Sequence, residues 1–294
     1  MELRVLKYFL AVARHENISR AADELNLTQP TLSRQIAELE KELGTALLVR
    51  GKRRTLLTES GLLLKVRAEE ILSLANRTVE QFAHGEESVE GDIYIGCGET
   101  EGMREVLRAI APLHVSCPGI RVHLTSGNGE LVTDGLKKGI LDFGLLCSAL
   151  PPVEYSYRRI SHEDIWGLYM NRANPLTQKP GISADDMTRE PLIMSRQAME
   201  AREFDHWLGG KAEDLHIVAT YNLVYNSVFL VEQGFGSVLS FDGLIPVGQG
   251  GRDSLVFRPL MPELRSHNYL IWKKGQVFSR AGRMVLDCFA SAFF

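Results

Sequence analysis

Apolar residues recur at helical spacing through the first part of the chain and predict three short helices. The first ends near His15, and its apolar positions are Leu3, Leu6, Phe9, Leu10 and Ala13. Ser19 is the predicted N-cap of the second helix. The third runs from a Thr28 cap to Gly44, with an apolar stripe at Leu32, Ile36, Leu39 and Leu43. Since only a short corner separates the second and third helices, the pattern predicts a helix-turn-helix.

Polar residues at the start of the third helix are left free of its apolar stripe and predict contact with DNA. Amide and guanidinium groups pair with adenine and guanine edges in the major groove, and shorter polar groups reach phosphates. The predicted DNA-contacting residues here are Thr28, Gln29, Pro30, Thr31, Ser33, Arg34 and Gln35. A hairpin-like wing that grips phosphate is predicted just afterwards, at Arg50, Lys52, Arg53 and Arg54. Taken singly, these features are typical of helix caps and solvated loops; their order and spacing favour DNA binding.

A long helical pattern follows from Thr58 to about Ala83. At 1.5 Å per residue it would reach roughly 40 Å, too long to bury its apolar stripe on one small DNA-binding module. We therefore expect a second copy of the chain to cover it, the alternative being an intrachain connector packed on the next domain. The polar, Gly-flanked segment at 84–91 is a predicted hinge.

Short apolar runs then alternate with helical patterns, which predicts a parallel sheet with helices on both faces. The pattern repeats after residue 161, and the last part returns to the first unit. The fold class is therefore α/β, with a winged helix-turn-helix at 1–58, a linker helix and hinge at 59–90, and a two-lobed domain at 91–294. Lobe I is expected at about 91–161 and 267–294, and lobe II at about 162–266.

The cleft between two such lobes is suited to a small molecule, since ligands bind at the carboxyl ends of parallel strands. The residues at predicted strand ends are Thr100, Gly127, Asn128, Cys147, Ser148, Ser195, Arg196, Thr220 and Asn222. Each alone is more typical of a turn or a cap, but together they converge on one crevice. Glu99 and Glu101 favour an amine, whereas Arg196 and Arg202 favour an anion, so the charge of the ligand stays open.

Composition narrows the function classes further. A net charge of −4 argues against a protein that coats nucleic acid by bulk charge. The four cysteines form no C-x-x-C pair and the histidines have no metal-ligand spacing, so no metal site is expected, although Cys97 or Cys147 leaves a redox role open. No apolar run is long enough to span a membrane and the N-terminus lacks signal-peptide features, which predicts the cytoplasm.

Three alternative functions can be weighed against a ligand-controlled DNA-binding protein. No catalytic signature is complete, because GCGETEG departs from G-x-G-x-x-G and neither G-x-S-x-G nor H-E-x-x-H occurs, so no catalytic residue is assigned. A solute-binding protein would fit the last two hundred residues alone, and the helix-turn-helix argues against it. A dimeric DNA-binding protein without a ligand stays open, and an effector titration would separate it from the first choice.

A specific block of residues in the N-terminal region carries a family resemblance. It comprises Leu3, Phe9, Ala21, Ala22, Leu25, the segment LTQPTLSRQIAELE at 27–40, Leu43, Gly44, Leu47, Arg50, and LTESG at 57–61. This block resembles the LysR-type transcriptional regulators. The chain departs at Leu48, where the family commonly has Phe, and at Ser60, where it has Ala; neither lies on the expected DNA face.

The resemblance implies partners and an assembly. The C-terminal region would be an effector domain resembling periplasmic binding proteins, although Ser240 stands where Pro is common. Members of the family act as homodimers or homotetramers, the latter as dimers of dimers, on double-stranded promoter DNA. The implied partners are therefore promoter DNA, RNA polymerase and a small-molecule effector of unknown identity, with no cofactor and no membrane.

Overall fold

The computed structural model describes residues 1–51, 54–83, 89–147, 150–200, 203–248 and 252–293. The described chain divides into two units, Met1–Gly85 and Glu86–Phe294. The first unit contains helices α1 (Leu3–His15), α2 (Ile18–Glu24), α3 (Gln29–Leu43) and α4 (Glu59–Ala83), with strands β1 (Leu48–Arg50) and β2 (Thr55–Leu57) between α3 and α4.

The corner between α2 and α3 is defined by its caps. The Thr28 side chain accepts the Thr31 N–H at 3.4 Å, and Gly44 ends α3 with φ +66°, a left-handed conformation that favours glycine. Asn17 caps α2 by accepting the Arg20 N–H at 3.1 Å. The prediction of Ser19 as this cap was wrong, because Ser19 lies inside the helix, two residues past the true cap.

The first unit has a small core formed by the apolar faces of α1 to α3 and the wing. Its largest fully buried side chains include Phe9, Leu32 and Ile36. The wing is an antiparallel hairpin in which Leu48 pairs with Leu57 and Arg50 with Thr55. Ala68 and Leu72 of α4 pack against Leu6 of α1, forming a second, smaller cluster.

The second unit is built on one large sheet. Its strands are β3 (Gly91–Cys97), β4 (Ile120–Ser126), β5 (Phe143–Cys147), β6 (Tyr155–Asn171), β7 (Leu192–Ser195), β8 (Ile217–Tyr221), β9 (Ser237–Phe241), β10 (Leu255–Pro259) and β11 (Arg265–Lys273). Within the described residues these nine strands follow the order β4-β3-β5-β11-β6-β9-β7-β8, and β10 pairs with β6.

Helices cover the two ends of this sheet. They are α5 (Met103–Ser116), α6 (Gly129–Lys137), α7 (Ala184–Met187), α8 (Arg196–Glu200), α9 (Glu203–Trp207), α10 (Val224–Glu232) and α11 (Arg280–Ala292). Lobe I consists of the parallel strands β3, β4 and β5 with α5, α6 and α11, around a core that includes Phe143 and Phe289. Lobe II consists of β7 to β10 with α7 to α10, around a core that includes Leu168 and Leu239.

Two long antiparallel strands, β6 and β11, connect the lobes. β6 pairs with β11 over its first half and with β9 and β10 over its second half. The sequence pattern predicted only the apolar end of β6, because residues 158–164 read RRISHED and have no apolar alternation. The expected lobe boundaries, 161/162 and 266/267, fall inside these two strands.

Candidate functional site

The start of α3 presents the predicted DNA-contacting residues to solvent. Thr28, Gln29, Pro30, Thr31 and Arg34 are exposed, while Ser33 and Gln35 are half-buried. Glu38 engages two of them, since its carboxylate accepts from Arg34 Nε and from Gln35 Nε2, both at 2.9 Å. Because exposed ion pairs of this kind contribute little free energy, Arg34 can exchange Glu38 for a base at small cost.

The wing supplies positive charge beside α3. Arg50 ends β1, and Arg54 is an exposed residue whose Nη1 lies 3.2 Å from Glu16 Oε2. Backbone bonds support the hairpin, because Gly51 N donates to Arg54 O and Thr55 N donates to Glu16 O. Lys52 and Arg53 lie outside the described residues, so their predicted phosphate contacts stay predictions.

The second unit contains a cavity of about 390 Å³ between its two lobes. Six of the predicted effector-binding residues line it: Gly127, Asn128, Cys147, Ser195, Arg196 and Asn222. They come from the carboxyl ends of strands in both lobes and from the helices that follow, as the strand-end reasoning required. Ser148 lies outside the described residues.

Thr100 and Thr220 are not among the described residues that line the cavity. The Thr100 hydroxyl is buried and donates to the Asp164 carboxylate, with oxygen–oxygen distances of 2.9 and 2.7 Å, while it accepts the Gly102 N–H. Thr220 is exposed, and its neighbour Tyr221 lines the cavity because successive side chains of a strand point to opposite faces.

Several lining residues were missed by the sequence reasoning. They include Glu130, Trp166, Gln197, Tyr221 and Phe241. Glu99, whose charge the sequence already linked to an amine ligand, also lines the cavity. Trp166 could not be predicted from the sequence, because its position depends on where β6 crosses between the lobes. The Trp166 and Phe241 rings pack with their centroids 4.2 Å apart and form an apolar wall.

Among the described residues, two hydrogen bonds cross the cavity from one lobe to the other. Val224 N, at the start of α10 in lobe II, donates to Glu99 Oε2 of lobe I. Gln197 Oε1, on α8 of lobe II, accepts the Gly129 N–H at the start of α6 in lobe I, at 3.3 Å. Burial raises the pKa of Glu99, although the Val224 N–H lowers it in part. The lobes are therefore connected at the cavity by bonds that a bound molecule would add to or replace.

A buried carboxylate lies behind this cavity, between the lobe-connecting strands. Asp164 of β6 accepts from Thr100 Oγ1 and from Asn268 Nδ2 of β11, the latter at 2.8 Å, and His162 Nε2 lies 3.1 Å away. Burial raises the pKa of Asp164, with the bonds from Thr100 and Asn268 opposing it. Burial also raises the pKa of the Cys147 thiol, and the Asp164 charge adds to the effect.

The described residues show neither a metal centre nor a membrane span. No group of three His, Cys, Asp or Glu side chains among them is arranged to hold a metal ion. None of the described helices is long and apolar enough to cross a membrane.

Comparison with known proteins gives the same two-part division. Residues 3–62 match the bacterial regulatory helix-turn-helix protein, lysR family, and residues 86–293 match the LysR substrate binding domain. The chain is 30% identical to the DNA-binding transcriptional dual regulator OxyR of Escherichia coli over 284 residues, 94% of this chain and 90% of that protein. It is 31% identical to the hydrogen peroxide-inducible genes activator of Dickeya chrysanthemi over 228 residues, 75% of this chain and 73% of that one.

A solved structure shows the same fold over the whole chain. The full-length regulator CbnR complexed with its target DNA matches with a TM-score of 0.74 at 21% identity, covering 100% of this chain and 99% of that one.

A helix-turn-helix with a wing, joined to a two-lobed domain around an interior cavity, defines the class of ligand-responsive DNA-binding proteins. The chain belongs to the LysR family, and it is a DNA-binding transcriptional regulator with an effector-binding domain. The family, fold class and general function predicted from the sequence are thereby confirmed.

Proposed function

We propose that this regulator binds a dyad-symmetric promoter site as a homo-oligomer in the cytoplasm, and that an effector in the cavity changes its contact with RNA polymerase. The observation that carries this proposal is the pair of lobe-crossing hydrogen bonds at the cavity, which Val224 N donates to Glu99 and Gly129 N donates to Gln197. A ligand that changes these bonds changes the balance between open and closed lobes, and it shifts DNA binding only if its affinity differs between those states.

The reading face of α3 supports the DNA part of the proposal. Arg34 is the predicted base reader, and Gln29, Thr31 and Ser33 are its neighbours on that face. Arg54 is the described member of the wing that would contact phosphate. The other wing residues proposed for this role are Arg50, Lys52 and Arg53.

The surface of α4 supports the oligomer. Large apolar side chains remain exposed along this helix within the first unit: Leu62, Leu63, Val66, Leu74 and Val79, by 48–67%. A stripe of this size is costly to leave in water, and a second α4 is the natural cover. Pairing two subunits this way would set two α3 helices about one DNA turn apart, roughly 34 Å.

Cavity chemistry supports binding rather than catalysis. Ser195 Oγ accepts the Ala198 N–H at 3.0 Å and so acts as a helix cap. The Cys147 thiol has a raised pKa, which disfavours the thiolate. Neither nucleophile is activated as a catalytic group must be, so we propose no enzymatic activity.

The first test is selection of genomic fragments by the purified full-length chain at near-physiological salt, followed by sequencing. We expect a dyad-symmetric site with half-sites about one helical turn apart, and a relaxed base preference in an Arg34→Ala variant. The genes next to the selected sites then indicate a pathway, and compounds from that pathway are titrated against the protein–DNA complex. Unselective, salt-sensitive binding contradicts the specific reader, and a ligand that binds without changing DNA affinity, bending or transcription contradicts the coupling.

Peroxide sensing is the alternative that the relatives raise. Peroxide reacts with thiolates, yet burial raises the pKa of the Cys97, Cys147 and Cys288 thiols and keeps them protonated. We therefore expect hydrogen peroxide at micromolar concentration to leave DNA binding unchanged. A peroxide-dependent change that a Cys147→Ser variant abolishes would favour the alternative.

A further inference from the structure

The sequence left the charge of the effector open, and the hydrogen bonds made by the residues that line the cavity give evidence about it. Three helices begin at the cavity wall, namely α6 at Gly129, α8 at Arg196 and α10 at Val224. Helix starts are positive and carry free N–H groups, so they would ordinarily favour an anionic ligand. Whether an anion can bind here therefore depends on whether these N–H groups already donate to acceptors of the protein.

Each of these helix starts is already bound by an oxygen of the protein itself. In α6, Gly129 N donates to Gln197 Oε1 and Leu131 N donates to Asn128 Oδ1. In α8, Ala198 N donates to Ser195 Oγ. In α10, Val224 N donates to the Glu99 carboxylate. One or two N–H groups at each helix start are thus already bound by the protein itself, which leaves fewer of them for an anion.

One lining residue, Glu99, keeps capacity to accept hydrogen bonds. Glu99 Oε2 is bound by Val224 N, and among the described residues no partner is found for the other carboxylate oxygen, Oε1. A carboxylate has room for about four hydrogen bonds, so Glu99 can accept more of them in its half-buried position. Burial raises the pKa of Glu99, and the Val224 N–H opposes this rise in part.

The charged residues near the cavity also favour a cationic ligand. Glu130 and Arg196 are exposed lining residues of opposite sign, so water screens both. Asp164 is fully buried behind Cys147, adding a second carboxylate on the inner side. Glu101 is not free to recruit a ligand, because it pairs with Arg104.

The opposite part of the lining is apolar and aromatic. Trp166 is 6% exposed and Phe241 is 8% exposed, and Leu145 and Leu244 lie on the same lining. Aromatic faces also attract cations through their quadrupole. A charged head beside Glu99 and an apolar body on these rings would fill both parts of the cavity.

We propose that the effector is a cationic amphiphile, whose ammonium or amidinium group donates to Glu99 and whose apolar body packs on Trp166 and Phe241. This inference rests on the proposed effector site. Because Glu99 Oε2 stays on Val224 while Oε1 takes the ligand, the cation would neutralise Glu99 without breaking its bond to lobe II. Binding would thereby strengthen the closed state.

The test uses three molecules of similar size and one phenyl ring: 2-phenylethylamine, 3-phenylpropionate and 2-phenylethanol. Their affinities are measured by calorimetry on the full-length chain and on Glu99→Gln and Glu130→Gln variants. Glu130 is the matched control, because it is the exposed carboxylate of the same lining. Thermal unfolding and DNA binding of each variant verify that it is folded.

We expect the amine to bind about tenfold more tightly than the carboxylate or the alcohol, and Glu99→Gln to weaken it about tenfold, as loss of a hydrogen bond to a charged group requires. Glu130→Gln should change it less than about threefold, as expected for a screened surface charge. Tighter binding of phenylpropionate, equal binding of the amine to Glu99→Gln, or no measurable binding of the amine overturns the inference.

The outcomes separate this inference from the function it rests on. If phenylpropionate binds and its presence changes DNA affinity, the cavity is an effector site for anions, and only the inference falls. If any of the three molecules binds in the cavity but leaves DNA binding unchanged, the proposed coupling falls instead.

Discussion

For the substitution Gly61→Ala, helix propensity and tertiary packing predict opposite changes in the stability of the protein. Gly61 is the last residue of the LTESG segment and lies in the first turn of α4. A Cβ atom built on it would lie 2.1 Å from the carbonyl oxygen of Leu47, a backbone atom that cannot move aside like a flexible side chain. The same oxygen accepts the Thr58 N–H at 3.0 Å, just before α4 begins.

The expected effect of Gly61→Ala follows from three contributions. Alanine is favoured over glycine in a helix by about 1 kcal/mol. Overpacking costs about 1–3 kcal/mol, and weakening the Thr58 bond to Leu47 costs about 0.5–1.5 kcal/mol. The structure therefore predicts a net loss of roughly 0.5–3.5 kcal/mol, whereas helix propensity alone predicts a gain.

The assay is urea unfolding of the full-length chain, followed by far-UV circular dichroism, together with DNA binding to report on the first unit. Ser60→Ala is the matched control. Among the described residues, its hydroxyl accepts one hydrogen bond, from Thr45 Oγ1 at 3.2 Å, so a change within about 0.5 kcal/mol is expected. A Gly61→Ala variant as stable as the wild type would refute the packing argument.

Two further predictions concern the DNA face and the edge of lobe I. Arg34→Ala should cost about 1–3 kcal/mol of binding free energy on the selected site and relax base preference. Arg54→Ala should weaken binding to all DNA sequences alike and reduce the salt dependence of the affinity by about one unit of slope. Equal effects of the two variants in binding titrations would contradict this division between base reader and phosphate contact. Arg121 and then His123 hold the pKa of Asp92 at about 2 rather than 3.8. Asp92→Asn should therefore lower the free energy of unfolding near neutral pH by about 1–2 kcal/mol, a value reduced because Arg121 is exposed to solvent. A lowered pKa in the folded state stabilises the protein fully only at a pH above the pKa of the unfolded state. The stability difference between wild type and variant should therefore disappear as pH falls from about 4 to about 2. A stability difference that persists unchanged in acid unfolding curves would show that Asp92 acts through packing instead.

The local elements were predictable where one face of each is buried. The stripe of Leu32, Ile36, Leu39 and Leu43 predicts α3, and its first three side chains are fully or almost fully buried. The predicted burial of Leu43 was wrong, because this side chain lies in the last turn of the helix and is 41% exposed. The Thr28 cap is equally readable, because a cap needs only its own side chain and the N–H three residues on. Ser19 was misassigned because Asn17, two residues earlier, is also a good cap, and pattern alone does not choose between neighbouring polar residues.

The effector cavity was predictable in outline and not in detail. Six strand-end residues line it because parallel topology brings the ends of strands together. Thr100 is not among the lining residues because its hydroxyl pairs with Asp164, whose approach depends on where the polar half of β6 runs. Thr220 is not among them because a shift of one residue along a strand reverses the face.

By itself the sequence determined the family, the α/β class and the helix-turn-helix, because all three depend on residues close together in the chain. Tertiary structure alone decided which groups in the cavity are still free to bind. Glu99 meets Val224 and Gln197 meets Gly129 across long separations in sequence, and these contacts take one N–H group at the start of α10 and one at the start of α6. Hydrogen-bonding capacity depends on which partners are within reach, and folding rather than composition sets those partners.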